Sequence, residues 1–405
     1  MSAPLRILYH HRTQGRGAEG NHIVSIVTAL RGLGHTVDVL SPPGVDPFDP
    51  AASMPVDKAK QQTRGWSSLW KGISKHLPNF VFELLEIVYN VPAYFRLRRA
   101  LAAQRYDLVF ERYAFYLLAG AWAARRAGVS FLFEANEVSG IPNRARKQSF
   151  PRLCAAFERR LVRHCALAHA VSSYLGDRLV AAGLEPRRLA VVPNGFDIER
   201  LKHARDRAGV RAELGIAPDD IVIGFAGWFD HWDRLDFLVE VFVDLRKRFK
   251  VKLCLVGSGP GAADVQARVR GTPEENAVIL TGAVPRARVY DFLSSFDIGV
   301  LPHSNVFGSP IVMFEMMGLR VPLAVPALPP ILDVHAFGAN AGSDTALLFE
   351  PLNADACNAA LTRLCESAAL RRELAERAYQ KLVTERTWLH VAQLIIEAWR
   401  RAGPR

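Results

Sequence analysis

The strongest constraint on the fold is a repeated alternation between short apolar runs and stretches with helical spacing. Residues 5–9 form an apolar run, a glycine-containing loop follows, residues 21–33 have helical spacing, and residues 36–40 form a second apolar run. This order predicts a βαβ unit. Apolar runs continue it at 108–111, 130–134, 168–172 and 189–192. The sequence therefore predicts a sheet covered by helices on both faces.

The same alternation begins again after residue 197. Apolar runs alternate there with helical stretches, at 221–226, 252–256, 278–280, 298–301, 321–325 and 346–349. Because 405 residues exceed the size at which one core keeps growing, we expect two Rossmann-like α/β domains, 1–197 and 198–386. Residues 387–405 are predicted to form a terminal helix that packs back on the N-terminal domain.

Charge and cysteine content limit the kinds of partner. The chain has 51 Lys and Arg against 40 Asp and Glu, a net charge of +11, which favours an anionic partner such as a nucleotide, a phosphate or a lipid surface. Five cysteines without a CxxC pair indicate a reducing compartment and no metal site. With no signal peptide and no apolar run of 18 residues, we expect a cytoplasmic protein, with peripheral attachment to the inner membrane as an option.

A glycine-rich loop follows the first apolar run. Gly15, Gly17 and Gly20 match the GxGxxG fingerprint of dinucleotide-binding proteins. The loop does not follow the strand directly, and residues 40–43 lack the acid that would bind a ribose. A nicotinamide or flavin cofactor is therefore not expected. The same glycines would let the backbone approach a phosphate at the N-terminus of the next helix.

One acid, Glu315, lies in an otherwise apolar stretch. Ser309 suits a helix N-cap and Pro310 suits the first helical position, so a helix is predicted to begin there and to carry Glu315 inward. Since its neighbours are apolar around the whole helix, we expect Glu315 to be buried and to need hydrogen-bond donors. The donors could belong to a ligand. The structural alternative is that Glu315 caps the backbone or pairs with Arg320.

These segments together resemble the retaining GT-B glycosyltransferases of the family 4 type. The resemblance covers nearly the whole chain and includes the glycine loop, the segments 193–197, 225–227 and 256–260, and the run Ser-Pro-Ile-Val-Met-Phe-Glu at 309–315. It implies two Rossmann-like domains facing a cleft. It also implies transfer of a hexose, with retention and without a metal or cofactor, from a nucleotide diphosphate sugar to a saccharide or lipid-linked acceptor, as in polysaccharide biosynthesis.

The resemblance assigns roles to individual residues. Glu315 would accept hydrogen bonds from the ribose, the loop 281–285 would frame the base, and Arg234 would neutralise the diphosphate as it leaves. We therefore predict Arg234 and Glu315 as catalytic and no protein nucleophile. The predicted donor-binding set consists of Gly15, Gly17, Gly227, Arg234, Gly282, Val284, Ser309, Pro310, Ile311 and Glu315.

Several positions depart from the family pattern. Phe307 stands where a second Glu usually contacts the donor sugar, and Val312 stands where the motif has Lys. The usual Arg/Lys pair is reduced to Arg234, with His231 nearby, and Arg320 stands where a glycine is usual. These changes keep open a catalytically impaired scaffold or partner subunit. A nucleotide-dependent epimerase or oxidoreductase on similar domains is the third alternative.

Two further segments concern the acceptor and the membrane. Glu134, Asn136 and Glu137 follow an apolar run, and either acid could orient an acceptor hydroxyl; Asn136 and Glu137 could instead cap a helix. Residues 63–82 mix tryptophans with basic residues, which suits an anionic membrane surface and a buried helix pair equally well. Nucleic acid is not expected as a partner, because no RNA-binding or DNA-binding motif accompanies this patch.

Overall fold

The computed structural model describes residues 3–15, 17–49, 78–141, 148–202, 205–335 and 344–403. The chain forms two compact units, one of Met1–Pro193 with Trp388–Arg405 and the other of Asn194–Thr387. The polypeptide therefore passes between the units twice, after Pro193 and after Thr387.

The N-terminal unit is built on a parallel sheet. Its strands in the described residues are β1 (Arg6–His10), β2 (Thr36–Leu40), β3 (Leu108–Arg112), β4 (Ser130–Ala135), β5 (Leu167–Ala170) and β6 (Leu189–Val191). They lie in the order β2-β1-β3-β4-β5-β6, and every pairing is parallel. From β1 the chain continues to β2 on one side of the sheet, and from β3 it continues to β4, β5 and β6 on the other side. The topological switch point of this sheet therefore lies between β1 and β3.

Helices cover this sheet. They are α1 (Gly17–Gly32), α2 (Asn79–Val88), α3 (Asn90–Ala103), α4 (Ala119–Ala127), α5 (Pro151–His164) and α6 (Ser173–Ala181). Helices α2 and α3 nearly continue one another, since Tyr89 between them has helical torsion angles. Pro92 explains the interruption, because it has no amide hydrogen to donate to Val88.

The C-terminal unit repeats this architecture. Its strands in the described residues are β7 (Ile221–Gly227), β8 (Val251–Gly257), β9 (Val278–Gly282), β10 (Ile298–Val300), β11 (Leu323–Pro326) and β12 (Leu347–Phe349), in the order β12-β11-β10-β7-β8-β9. All pairings are parallel. The switch point lies between β7 and β10.

The first helix of the C-terminal unit precedes β7, and the others connect the strands or follow the last one. They are α7 (Arg207–Glu213), α8 (Leu235–Arg246), α9 (Gly261–Val269), α10 (Val289–Ser294), α11 (Ile311–Gly318), α12 (Pro329–His335), α13 (Ala354–Glu366) and α14 (Ala368–Glu385). The predicted fold class, two Rossmann-like α/β domains, is confirmed.

The last helix, α15 (Trp388–Ala402), belongs to the N-terminal unit. Its apolar side packs into the core of that unit with Trp388, Ile395 and Trp399 buried. The indole of Trp399 donates a hydrogen bond to the Ser130 hydroxyl at 2.8 Å. No helix in the described part of the chain is long and apolar enough to cross a membrane.

Candidate functional site

Two loops lie beside the switch point of the C-terminal sheet, one after β7 and one after β10. Ligands of open α/β sheets bind outside the carboxyl ends of the strands at such a point. A hydrogen bond joins the two loops, since Nδ1 of His303 lies 2.9 Å from the carbonyl oxygen of Trp232. The loop after β10 leads directly into α11, which carries Glu315. This edge of the sheet is therefore where the predicted donor site would be built.

Helix α11 begins later than the sequence predicts. Pro310 is the N-cap, with extended torsion angles and no side-chain capping bond, and the first helical residue is Ile311. The predictions that Ser309 caps the helix and that Pro310 opens it are therefore wrong. The physical reason is that the Ser309 side chain serves a different partner.

Ser309 holds the segment that enters the C-terminal unit. Its hydroxyl accepts a hydrogen bond from the Asn194 amide at 3.1 Å, and its carbonyl accepts one from Nδ2 of Asn194 at 2.9 Å. Phe196, two residues on, is buried and stacks on Tyr290 with ring centroids 6.3 Å apart. A Cβ on Gly318 would come within 2.9 Å of Phe196, so a glycine fits α11 against this segment.

Glu315 is half-buried, with 16% of its side chain exposed, so it is less enclosed than predicted. The Tyr290 hydroxyl donates to its Oε1 at 3.2 Å, and the Arg200 guanidinium lies 3.8 Å from the same oxygen. Burial first, and then the Glu315 charge, raise the pKa of Tyr290, which keeps that hydroxyl protonated as a donor. The protein itself therefore supplies a hydroxyl donor and a cation to Glu315, and these contacts hold the carboxylate in one orientation.

Arg320 does not pair with Glu315. Its Nε lies 2.7 Å from Oε2 of Glu376, and its guanidinium stacks 3.5 Å from the centre of the Tyr379 ring. Arg320 also has a positive φ of 55° just after the end of α11, where the amide of Val321 bonds back to Met316. This is the left-handed position of a Schellman ending, which explains why glycine suits it.

Arg234 lies in the loop between β7 and α8, in a left-handed conformation with φ 49°. Its guanidinium forms a two-point pair with Asp236, at 2.9 Å from Oδ1 and 3.0 Å from Oδ2. The side chain remains 39% exposed, and a planar guanidinium keeps further N–H donors after such a pair. Arg234 is thus an oriented arginine whose charge is partly balanced.

A cavity of about 550 Å³ adjoins this loop. Its lining residues are Asp230, His231, Arg234, Leu235, Asp236, Gly261, Asp264, Ala267 and Arg268. Three carboxylates face two arginines there, so the cavity is not a strongly cationic pocket. Glu315 is not among its lining residues.

The other predicted donor-binding residues of this unit lie at the same edge of the sheet. Gly227 ends β7 and Gly282 ends β9, where Gly282 is exposed with φ 67°; half-buried Val284 follows. Strand β8 ends beside them at Gly257, where a Cβ would lie 2.0 Å from the Gly227 carbonyl oxygen. Glycine is required there because two loop backbones come into contact.

The glycine loop of the N-terminal unit is tightly folded. Gly15 has φ 65°, and its amide donates to the Thr13 hydroxyl at 3.2 Å. Gly17 is the first residue of α1. A Cβ on Gly20 would lie 2.2 Å from the Gly15 carbonyl oxygen. The conformation of the turn therefore explains why positions 15 and 20 are glycines.

Glu134 lies at the centre of a buried polar cluster. Its Oε1 lies 2.5 Å from Nε2 of His22 and 3.7 Å from Nδ1 of His169, and its Oε2 accepts from Arg112 at 3.4 Å. Burial opposes ionisation of Glu134, but its pKa is lowered well below the usual range because His22 and Arg112 outweigh that effect. The side chain is fully enclosed. Direct contact of Glu134 with an acceptor hydroxyl does not fit this geometry.

Asn136 and Glu137 follow the end of β4 and are half-buried. Nδ2 of Asn136 has no hydrogen-bond partner within the described residues. Neither residue is the N-cap of α5, a position that Phe150 occupies. Both side chains are less enclosed than Glu134, although Nδ2 of Asn136 itself is buried.

A second buried pair marks the switch point of the N-terminal sheet. Nδ1 of His10, at the end of β1, lies 2.6 Å from Oε2 of Glu111 on β3. Both side chains are buried, and a Cβ on Gly120 in α4 would lie 2.2 Å from the same carboxylate oxygen. Glu111 therefore sits against the first turn of α4, where the helix dipole favours a negative charge.

The sequence analysis missed Arg200 and Tyr290 around Glu315, and His22, Arg112 and His169 around Glu134. Tyr290 is 25 residues from Glu315 and His22 is 112 residues from Glu134, so sequence spacing gave no signal. Asn194 belongs to the segment 193–197, which entered the sequence analysis only as part of the family resemblance. The tryptophans at 66 and 70 lie outside the described residues. In the described ranges no group of three or more His, Cys, Asp or Glu residues is arranged to hold a metal ion.

Two doubly wound α/β units in series have the architecture of the GT-B fold. Two family models match the chain: Glycosyltransferase Family 4 over residues 19–200 and Glycosyl transferases group 1 over residues 206–381. The protein belongs to the family 4 type of GT-B glycosyltransferases, and the epimerase or oxidoreductase alternative is set aside.

Similar proteins agree with this assignment. The chain is 29% identical over 235 residues to a D-inositol 3-phosphate glycosyltransferase of Kineococcus radiotolerans, covering 54% of this chain and 53% of that protein. It thus spans about half the length of that curated relative. Anabaena Alr3699/HepE in complex with UDP superposes with a TM-score of 0.70 at 16% identity, covering 97% and 99% of the two chains. Its complex with UDP and glucose gives 0.64 at 17%, covering 97% and 98%.

Proposed function

We propose that the protein transfers a hexose from a nucleotide diphosphate sugar to a saccharide or lipid-linked acceptor, with retention of configuration and without a metal. The observation that carries this proposal is the Glu315 carboxylate, oriented by Tyr290 and Arg200 on the helix that follows the switch-point loop. Membership in the glycosyltransferase family supports it. UDP is the first nucleotide to test, because the Anabaena neighbour was solved with UDP and with glucose.

In this proposal the C-terminal unit binds the donor. Glu315 accepts hydrogen bonds from the ribose hydroxyls, and the backbone around Gly282 and Val284 frames the base. The first turn of α11, from Pro310 and Ile311, offers amide groups and the positive end of the helix dipole to the diphosphate. Arg234, held by Asp236, adds a cation that neutralises charge as the diphosphate leaves.

The acceptor would bind to the N-terminal unit. Asn136 and Glu137 are the residues we propose to orient its hydroxyl, and the buried Glu134 cluster would fix the end of β4 that carries them. No side chain is assigned as a nucleophile. The departing phosphate would then assist attack by the acceptor on the same face of the sugar.

A turnover assay tests this proposal. The protein is incubated with UDP-glucose and other nucleotide sugars, nucleotide release is measured, and the configuration of the new bond is read by proton NMR. An α-configured donor should give an α-configured product. A β-configured product would contradict retention, and release that disappears when chelator is added would contradict metal independence.

A second candidate is a nucleotide-binding scaffold that does not transfer sugar. The observation that favours it is Phe307, which is half-buried where the family pattern has a donor-contacting Glu. Tight UDP binding with no turnover across a panel of donors and acceptors would favour this alternative.

A further inference from the structure

One helical face of the N-terminal unit is apolar and exposed. Phe80, Leu84 and Val88 on α2 and Val91 and Phe95 on α3 are 45%, 47%, 60%, 58% and 61% exposed. At 3.6 residues per turn these five positions fall within an arc of about 80°. The opposite side of the same helices is the buried one, with Glu83, Asn90 and Leu97. We call the five exposed residues the apolar stripe.

The start of α5 is held against the buried side of α2. Oε2 of Glu83 accepts a hydrogen bond from the Phe150 amide at 2.9 Å and one from the Tyr116 hydroxyl at 2.5 Å. These bonds fix the beginning of α5 against α2. Phe150 and Leu153 are exposed there as well. The apolar stripe itself is formed by α2 and α3, and five large apolar side chains exposed within one arc are unusual for a surface that faces only water.

The charges around the apolar stripe have one sign. Arg98 and Arg99 are exposed and lie three and four residues beyond Phe95, on the same helix face. On α5, exposed charge comes from four arginines: Arg152, Arg159, Arg160 and Arg163. In the described helices α2, α3 and α5 no carboxylate is exposed, because Glu83 and Glu158 are buried and Glu86 is half-buried beside Arg12.

We propose that the apolar stripe is a docking surface for an anionic lipid bilayer. The apolar side chains enter the boundary between headgroups and acyl chains, while the arginines lie against the lipid phosphates. The positive charge around the apolar stripe favours an anionic bilayer over other partners. A second copy of the chain would bring the same arginines together, and residues 50–77 carry five basic residues against one acid, so they share this sign. An anionic bilayer is the partner that neutralises it.

Vesicle sedimentation tests the proposal with the full chain. The apolar variant carries Val88→Ser and Phe95→Ser, and its control carries Leu389→Ser and Leu394→Ser, which change exposed leucines on α15. The charge variant carries Arg98→Gln and Arg99→Gln, and its control carries Lys247→Gln and Arg248→Gln, which remove the same charge from an exposed site in the C-terminal unit. All of these side chains are exposed, so the fold should be kept.

Wild-type protein should sediment with vesicles of mixed phosphatidylglycerol and phosphatidylcholine, and much less with phosphatidylcholine alone. Each arginine near an anionic surface strengthens binding about fivefold. The charge variant, which lacks two arginines, should therefore bind about 30-fold more weakly. The apolar variant should lose at least about tenfold. Both controls should bind like wild type.

Three results would overturn the proposal. One is that wild-type protein does not sediment with anionic vesicles. Another is that the stripe variants bind as well as their controls. The third is a concentration-dependent dimer, seen by light scattering, that the apolar variant abolishes, because the occupant would then be a second copy. UDP binding is measured on the same variants and should not change, so this inference and the proposed function fail separately.

Discussion

Glu134 should be a structural residue whose loss destabilises the N-terminal unit rather than one that contacts the acceptor. Its carboxylate is fully enclosed, with His22 at 2.5 Å and Arg112 at 3.4 Å. Glu134→Gln removes the charge and keeps the shape. Arg112 then remains buried without its carboxylate, and breaking a buried pair in this way typically costs about 3–5 kcal/mol. We expect a loss of about 3 kcal/mol in the free energy of unfolding, because the amide retains one acceptor oxygen.

Urea denaturation measures this loss. Trp388 is a suitable reporter, since it is buried and its ring lies edge-on to His22 with centroids 4.9 Å apart. Glu137→Gln, at a half-buried position just after β4, serves as the matched control and should cost less than about 1 kcal/mol. The dependence of stability on pH in the acid range gives a second readout. Because the folded pKa of Glu134 is lowered, its contribution is present above the ordinary value of 4.5 and is lost as the pH falls below it.

The acid limb of the stability curve should therefore be shallower in Glu134→Gln than in wild type. The structural account is refuted if Glu134→Gln changes the free energy of unfolding by less than about 1 kcal/mol while the KM for the acceptor rises. In that case Glu134 would meet the acceptor directly.

Three further predictions concern packing, titration and the loop before α11. Gly120→Ala should cost about 2 kcal/mol, because its Cβ would lie 2.2 Å from the Glu111 carboxylate, whereas Gly176→Ala, which meets only side-chain atoms at 3.0 Å, should be nearly neutral. Equal urea midpoints for the two variants would contradict this. Burial lowers the pKa of His11 to about 4 and the pKa of His335 to about 3. As the pH falls below about 6.5, these histidines bind protons in the unfolded chain before they do so in the folded chain, so stability is lost. Going from about pH 7 to about pH 5 should cost about 2 kcal/mol for each histidine, and an unchanged pH slope in His335→Gln would rule the explanation out. Ser309→Ala should cost about 1 kcal/mol by leaving the Asn194 amide without its acceptor, and Ser309→Thr should restore most of that; failure of the threonine to do so would argue against the hydrogen bond.

Sequence patterns predicted the architecture well because it depends on periodicity. Alternating apolar runs and helical stretches identify parallel strands and covering helices whatever the details of the loops. The GT-B family followed from the order of several short segments along the chain. Boundaries were less certain, as at α11, where Ser309 is bonded to Asn194 instead of capping the helix.

The site was predicted less completely, because its geometry depends on contacts between distant residues. Glu315 was recognised as an acid in an apolar helix, but nothing in the spacing indicated that Tyr290 and Arg200 would be its partners. Glu134 was recognised as polar at a strand end, yet only the fold shows that His22, Arg112 and His169 enclose it. Local patterns identify a residue that needs a partner, and tertiary structure decides which partner it finds.

UDP titration calorimetry tests the central claim, that Glu315 belongs to a nucleotide site in the C-terminal unit. Wild-type protein is compared with Glu315→Ala and with Glu376→Ala, a control that removes an exposed carboxylate of the same unit. Loss of hydrogen bonds to a charged acceptor should weaken UDP binding at least about tenfold in Glu315→Ala, with Glu376→Ala unchanged. UDP binding of equal strength in wild type and Glu315→Ala would contradict the claim.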